Sequence, residues 1–165
     1  MSRNLVRCLT LVFVVSACRA EDTLSPSSLA GTYVLERANA RDLRELPFPP
    51  ELVVCDVSFI SAGKVLPPAL RLAAAGWKAL VLVKPQFEAR REEVRKGVVR
   101  DPDVHRRVLR ETASAALAWG AKTAGIVDSG LPGPKGNREF FLCLVHDDHP
   151  TLPDELERWI DAAID

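Results

Sequence analysis

Two charged residues of types that serve in acid–base chemistry, Asp56 and Lys84, each follow a short apolar run of the sequence. The runs are Leu52–Val54 and Ala79–Val83. Between them, apolar residues recur at helical spacing as far as Gly76, so this stretch predicts a strand–helix–strand unit. Continuous apolar runs are typical of strands that are covered on both faces of a parallel sheet.

The position of these charges at strand ends favours a functional site. In parallel sheets, ligands bind at the carboxyl ends of the strands. A single charge at a strand end is more often a residue that is leaving the core, and that interpretation suits Asp56 or Lys84 taken alone. The two occur together, however, and a Gly- and Pro-rich turn leads to a third charged residue, Glu139. We therefore interpret Asp56, Lys84 and Glu139 as a candidate site.

The composition is that of one globular domain. The chain has 165 residues, 47% of them hydrophobic and 27% charged, which is enough to form a substantial core. Its formal net charge is zero, so RNA contacts would have to come from a local basic patch. The cysteines show no metal-ligand spacing, and we expect neither zinc nor a disulfide. Cys55 and Cys143 lie in apolar runs, as small buried hydrophobic residues do.

Residues 1–31 differ from the rest of the chain. Two arginines precede the apolar run Cys8–Ala17, which is too short to span a bilayer as a helix. This pattern is typical of an export signal, and Val15–Cys18 resembles a lipoprotein cleavage box with Cys18 as the site of lipid attachment. The alternative is a misassigned or frame-shifted start. We prefer this alternative because the rest of the chain is typical of a cytoplasmic protein.

Local signals predict the remaining elements. Asp101 and Pro102 begin a helix as its N-cap and first residue, and Gly120 ends it. A last amphipathic helix covers residues 154–164. We divide the chain into the atypical segment 1–31, a domain at 32–150 and a C-terminal helix at 151–165. The strands are predicted near residues 33–36, 52–56, 79–83, 123–127 and 139–145.

A charged region lies between Gln86 and Arg100. Its five basic residues are diluted by three glutamates, and such mixed runs are usually a solvated face. The density of charge, together with Gly97, would also suit a loop that binds phosphates.

Five stretches in this order carry a specific resemblance. They are Tyr33–Arg41, Leu52–Ser61, Leu82–Glu88, Val98–Pro102 and Gly133–Phe140. Together they resemble the TlyA (hemolysin A) family of ribosomal-RNA 2′-O-methyltransferases, whose catalytic domain is FtsJ-like and uses S-adenosylmethionine. The resemblance covers residues 33 to 145, the later part of that domain. It implies an α/β fold with a Rossmann-like methyltransferase sheet that lacks its first strands and has an antiparallel last strand.

The resemblance also implies roles for individual residues. The family uses a Lys–Asp–Lys–Glu set, in which Asp56, Lys84 and Glu139 match the last three members. Asn39 and Asp56 match positions that contact S-adenosylmethionine. A ribose hydroxyl is a poor nucleophile, so a lysine can take its proton while carboxylates orient the lysine and the methyl donor. The implied partner is ribosomal RNA or a ribosomal subunit, with no metal, no stable membrane span and a cytoplasmic location.

Some parts of the family pattern have no match in this sequence. They are the S4 RNA-binding domain, the first lysine and the Gly-rich loop that holds the cofactor. Two carboxylates without a companion lysine would hold Lys84 as an ammonium ion, which is not a base. We therefore expect a truncated methyltransferase that is inactive alone. The alternative is an exported lipoprotein, anchored through Cys18, or a non-catalytic binding module derived from the same fold.

Overall fold

One mixed sheet of five strands organises the part of the chain that the computed structural model describes, residues 11–15 and 51–165. The strand order is β1-β2-β3-β5-β4. Two single turns of 3₁₀ helix, Leu117–Trp119 and Pro134–Gly136, lie in the connections. The strands are β1 (Leu11–Val15), β2 (Leu52–Asp56), β3 (Lys78–Val83), β4 (Ala121–Asp128) and β5 (Phe140–His146). The helices are α1 (Ala62–Leu70), α2 (Pro85–Glu88), α3 (Pro102–Ala116) and α4 (Pro153–Ile164).

The strand directions confirm the expected methyltransferase-like sheet. β2 and β3 are parallel and are joined by the crossover through α1. β5 is antiparallel to both of its neighbours, β3 and β4. The four strands predicted after residue 50 occur within two residues of their expected bounds. The strand predicted near residues 33–36 lies outside the described residues.

The strand β1 lies at the edge of the sheet, next to β2. Without the first strands of the family sheet, Leu52–Asp56 is expected to lie at or near an edge and to promote self-association. The structure places it second from the edge, because β1 pairs antiparallel with all five residues of β2, from Leu11 opposite Asp56 to Val15 opposite Leu52. β2 is therefore an inner strand, because part of the apolar run Cys8–Ala17 supplies its backbone partner. The self-association stays a prediction, and so does the interpretation of residues 1–31 as a signal or a misassigned start.

The core lies on one face of the inner strands, where buried residues alternate with partly buried ones, so the cover expected on both faces is complete on one face only. The most completely buried strand residues include Val53, Val81, Val83, Leu142 and Leu144. Helix α3 begins as predicted, since the Asp101 carboxylate accepts a hydrogen bond from the Asp103 N–H at 3.0 Å and Pro102 follows the cap. Helix α1 ends at Leu70, earlier than the apolar pattern up to Gly76 suggested.

The C-terminal helix α4 packs against the sheet and against α3. Its buried residues are Ile160, Ala163 and Ile164. Arg138, just before β5, donates hydrogen bonds to the carbonyl oxygens of Ala163 and Ile164 at 2.9 and 2.8 Å, which fixes the end of the helix. No helix within residues 51–165 is long and apolar enough to cross a membrane.

Candidate active site

Asp56 and Lys84 form a direct ion pair at the carboxyl ends of β2 and β3. The Lys84 Nζ lies 2.6 Å from Asp56 Oδ1 and donates a second hydrogen bond to Ser58 Oγ at 3.2 Å. The two strands are parallel, so their carboxyl ends meet at one edge of the sheet. The lysine side chain is only 12% exposed, whereas the aspartate side chain is 44% exposed. The pair therefore presents a carboxylate to any ligand that approaches this edge.

Glu139 lies at the same edge. β5 runs in the opposite direction to β3, and Val83 pairs with Phe140, so Lys84 and Glu139 occupy the next position along the two strands. The Glu139 side chain is buried and accepts a hydrogen bond from Gln86 Nε2 at 3.1 Å. We expected two carboxylates to hold Lys84. Among the described residues its ion pair is with Asp56, whereas the hydrogen bond of Glu139 comes from Gln86.

Glu88 connects α2 to the beginning of α1. Its Oε1 accepts a hydrogen bond from the Ala62 N–H at 2.7 Å, where the first N–H groups of a helix lack intrahelical partners. Burial raises the pKa of Glu88 above its ordinary value. The Ser61 hydroxyl, the Ala62 N–H and the charge of Lys64 act in the opposite direction. Helix α2 therefore contacts the beginning of α1 through Glu88 and the residue before β5 through Gln86.

The raised pKa of Glu88 predicts a pH-dependent stability. Between its ordinary value of 4.5 and its value in the fold, the folded protein binds more protons than the unfolded chain. The free energy of unfolding should therefore fall as pH rises through that window. The amide in the variant Glu88→Gln keeps the acceptor oxygen and does not titrate. Relative to this variant, wild type should become more stable as pH is lowered towards 4.5, as measured by urea unfolding.

The exposed neighbour Glu92 carries the matched control substitution, Glu92→Gln, in the same pH series. The quantity to compare is the free energy of unfolding of wild type minus that of Glu88→Gln. If this difference stays constant with pH, or rises as pH rises, it would contradict this account of the Glu88 carboxyl.

A hairpin-like turn carries the basic residues that follow α2. Arg95 and Val98 exchange two backbone hydrogen bonds of 3.0 Å around Lys96 and Gly97, which both have positive φ. Gly97 suits this turn because a residue without a Cβ adopts positive φ freely. The Asn137 side chain accepts from the Val99 N–H at 3.1 Å and donates to the Gly97 carbonyl at 2.9 Å. These bonds attach the turn to the segment that leads to Glu139.

The basic side chains of this segment face solvent. All are exposed, and none forms an ion pair with another described residue. Glu93 does not offset them, because its carboxylate binds Arg107 at 2.5 Å. With Glu92 as the exposed carboxylate among them, these residues give the connection between α2 and α3 a net positive charge. The residues of this basic cluster are Arg90, Arg91, Arg95, Lys96 and Arg100.

An exposed aromatic residue lies in the loop between Asp56 and α1. Phe59 is 74% exposed, has a φ of 65° and packs its ring 5.0 Å from that of Phe87. Positive φ is unusual for a bulky residue, so the surrounding loop imposes this conformation. The loop therefore holds an aromatic face towards solvent beside the Asp56–Lys84 pair.

The buried titratable groups elsewhere have structural roles. Burial, with the adjacent Asp56 charge, raises the pKa of the Cys55 thiol to about 12, which makes it unreactive. Cys143 is partly buried. His105 is buried, its Nε2 lies 3.2 Å from the Val99 carbonyl, and burial lowers its pKa. These contacts give His105 a structural role.

Two clefts in the described part of the chain do not contain the site. They have volumes of about 150 and 360 Å³, and both are lined in part by Trp119. Neither includes Asp56, Lys84 or Glu139. The candidate site lies instead along the sheet edge, where the chemistry of the side chains rather than the depth of a cavity identifies it.

Sequence reasoning missed two polar residues that contact the site, Ser58 and Gln86, and also Glu88, which attaches α2 to α1. The signal for Gln86 and Glu88 was their spacing from Lys84, because every second residue of this short stretch is polar and contacts a different segment. Ser58 had no comparable signal. Asn39, the other residue predicted to bind cofactor, lies outside the described residues.

The sheet and the charged residues at its edge define a methyltransferase-type α/β domain, in which an antiparallel last strand lies between two others. The sequence pattern of the FtsJ-like methyltransferase family matches residues 12–146. The chain belongs to this family, and membership implies a methyl donor.

Individual relatives agree with this assignment. The chain is 44% identical to YqxC of Bacillus subtilis (strain 168) over 115 residues, 67% of this chain and 41% of that protein. It is 43% identical to the 16S/23S rRNA (cytidine-2′-O)-methyltransferase TlyA of Mycobacterium tuberculosis (strain ATCC 25618 / H37Rv) over 114 residues, 67% of this chain and 42% of TlyA. The chain thus spans about two fifths of the length of these curated relatives.

A solved structure shows the same fold. A hemolysin-like protein from Streptococcus thermophilus superimposes with a TM-score of 0.67 at 34% sequence identity. The superposition covers 76% of this chain and 46% of that protein.

Proposed function

We propose that this chain is the catalytic part of an S-adenosylmethionine-dependent methyltransferase that acts on the ribose 2′-hydroxyl of ribosomal RNA. The observation that carries the proposal is the Asp56–Lys84 ion pair at the carboxyl ends of β2 and β3, with Glu139 at the adjoining end of β5. Family membership and the relative TlyA support this reaction class.

The geometry gives Lys84 a defined task. An ammonium group has three N–H donors, of which two are used by Asp56 and Ser58. The third is available to a ribose oxygen that approaches the sheet edge. Glu139 has acceptor capacity beyond its bond with Gln86, so it can take a hydrogen bond from the same hydroxyl group. Lys84 and Glu139 would therefore orient one hydroxyl oxygen for attack, with its proton passing to the carboxylate.

The exposed carboxylate of Asp56 fits a cationic methyl donor. Asp56 is half-exposed although Lys84 beside it is nearly covered, so its free oxygen can face a positively charged group. S-adenosylmethionine carries its transferable methyl group on such a cation, a sulfonium. We propose Asp56, together with Asn39, as the cofactor contacts of this chain.

The surroundings of the site suit an RNA backbone. The basic cluster follows α2 and is attached through Asn137 to the segment that leads to Glu139, so it can neutralise phosphates of an RNA bound here, although the whole chain has no net charge. Phe59 offers an exposed ring on which an unstacked base can pack. RNA recognition of this kind depends on accessible single-stranded nucleotides, which is the state in which a ribose hydroxyl can reach the sheet edge.

Calorimetric titration with S-adenosylmethionine tests the cofactor half of the proposal. Wild type should bind, but more weakly than a complete enzyme, because this sequence has no match to the Gly-rich loop. Asp56→Ala should weaken binding about tenfold or more, since a hydrogen bond to a charged group contributes roughly 1.5–3 kcal/mol. The matched control is Asp148→Ala, at an exposed position beyond the other end of β5.

The control should bind as wild type does. Equal affinity of wild type and Asp56→Ala would remove Asp56 from the cofactor site. Absence of any heat signal at millimolar cofactor would contradict the proposal that this chain binds S-adenosylmethionine.

A further inference from the structure

The Glu139 side chain lies between two segments that are distant in sequence. On one side is the turn that ends in the 3₁₀ segment Pro134–Gly136, and on the other is helix α2. Both contacts involve the carboxyl group itself rather than the aliphatic stem alone. The surrounding segments therefore restrict the position of the Glu139 carboxylate, which is the group that can take part in chemistry.

Gly133 borders the Glu139 carboxyl group on one side. A Cβ at this position would lie 2.6 Å from the carboxyl carbon of Glu139 and closer still to Oε1. No side chain can occupy that space without displacing the carboxylate. The turn itself is held by the bond from the Gly133 N–H to the Asn137 carbonyl at 2.8 Å. Glycine permits this close approach, and a Cβ here would have to move the end of the Glu139 side chain.

Gln86 borders the Glu139 carboxyl group on the other side. Only one orientation of the Gln86 amide is compatible with its hydrogen bond to Glu139. A carboxylate oxygen accepts hydrogen bonds, so the NH₂ group must face Glu139. In this orientation the Gln86 Oε1 is buried without a hydrogen-bond partner among the described residues. Burying an amide oxygen in this way lowers stability. The bond from the Gln86 NH₂ group to Glu139 is the contact that offsets part of this cost.

We propose that Gln86 is a positioning residue of the methyltransferase site. Its amide orients the Glu139 carboxylate, which Gly133 borders on the other side. The inference rests on the proposed function, since Glu139 is the group that would touch the ribose. Lys84 and Gln86, two residues apart in one segment, would then place the cation and the carboxylate relative to each other. Loss of the amide donor should leave binding intact and misplace the carboxylate.

A double-mutant cycle on methyl transfer to ribosomal RNA tests this inference. Gln86→Met keeps the length of the side chain and removes the donor. It should lower kcat about tenfold or more, with the KM for S-adenosylmethionine within about twofold of wild type. In the Glu139→Ala background, Gln86→Met should have no further effect, because there is no carboxylate left to position.

Gly133→Ala provides a second variant that does not touch Gln86. It should lower kcat by displacing the carboxylate, whereas Gly125→Ala, where a Cβ would meet nothing within 4 Å, should not. An unchanged kcat in Gln86→Met, or a full additional loss in the Glu139→Ala background, would overturn the inference while leaving the proposed function intact. An unchanged rate in Glu139→Ala alone would overturn the inference and remove Glu139 from the proposed chemistry, whereas no transfer by wild type would overturn the proposed function.

Discussion

Lys84→Ala is expected to lower the rate of methyl transfer to ribosomal RNA by about 10²-fold or more, because a reacting oxygen that is misplaced by about 1 Å can cost that much. Lys84 is nearly covered and holds both Asp56 and Ser58, so its removal leaves the hydroxyl oxygen without a donor. The assay is transfer of a labelled methyl group to RNA that lacks the modification, under single-turnover conditions with excess protein. The expectation of an inactive chain took the protonated Lys84 as the base. Because Glu139 can accept the proton instead, we predict slow transfer, which these conditions detect.

Lys78→Ala is the matched control for this variant. Lys78 lies at the other end of the same strand β3 and is exposed. It should leave the rate within about twofold of wild type, because an exposed charge at the amino end of β3 contacts neither proposed ligand. A Lys84→Ala protein that is folded and transfers methyl groups as fast as Lys78→Ala would show that Lys84 has no part in the reaction.

Phe140→Ala is expected to reduce the free energy of unfolding by about 3–5 kcal/mol, the range for deleting a buried phenylalanine side chain. Phe140 is completely buried at the beginning of β5, between β3 and β4. Its ring also contacts the His105 ring at a centroid distance of 5.5 Å and the Arg138 guanidinium at 5.4 Å. The cavity left behind would lie at the beginning of β5, directly after Glu139 in the chain, so the strand that follows the site residue would lose packing.

Phe59→Ala removes the same side chain from an exposed position. Its free energy of unfolding, measured by urea denaturation, should change by less than about 1 kcal/mol, because little buried surface is lost. Equal destabilisation by the two substitutions would contradict the packing described for β5.

The positions of Asp56 and Lys84 were predictable because their signal is local. Each follows an apolar run that can only be a covered strand, and a helical segment between the runs makes the two strands parallel. Parallel neighbours end at one edge, so the two charges had to be close. The antiparallel β5, which brings Glu139 to the same edge, was expected from the family resemblance and not from its own residues.

The supporting contacts were not predictable because they are not local. Gln86 and Glu139 are 53 residues apart, and Glu88 and Ala62 are 26 apart. Polar side chains on a short charged stretch are usually solvated, and only the packing of α2 against two other segments gives them partners. The pairing of β1 with β2 was missed for a similar reason. An apolar run carries no information about which strand edge will accept it.

The chemical position of the transferred methyl group tests the central claim most directly. After the labelled reaction, the RNA is digested to nucleosides and the product is identified by chromatography and mass spectrometry. The account predicts a 2′-O-methyl nucleoside that is formed by wild type and strongly reduced in Lys84→Ala. A methyl group on a base, or no transfer by the folded wild-type chain at any protein concentration, would contradict it.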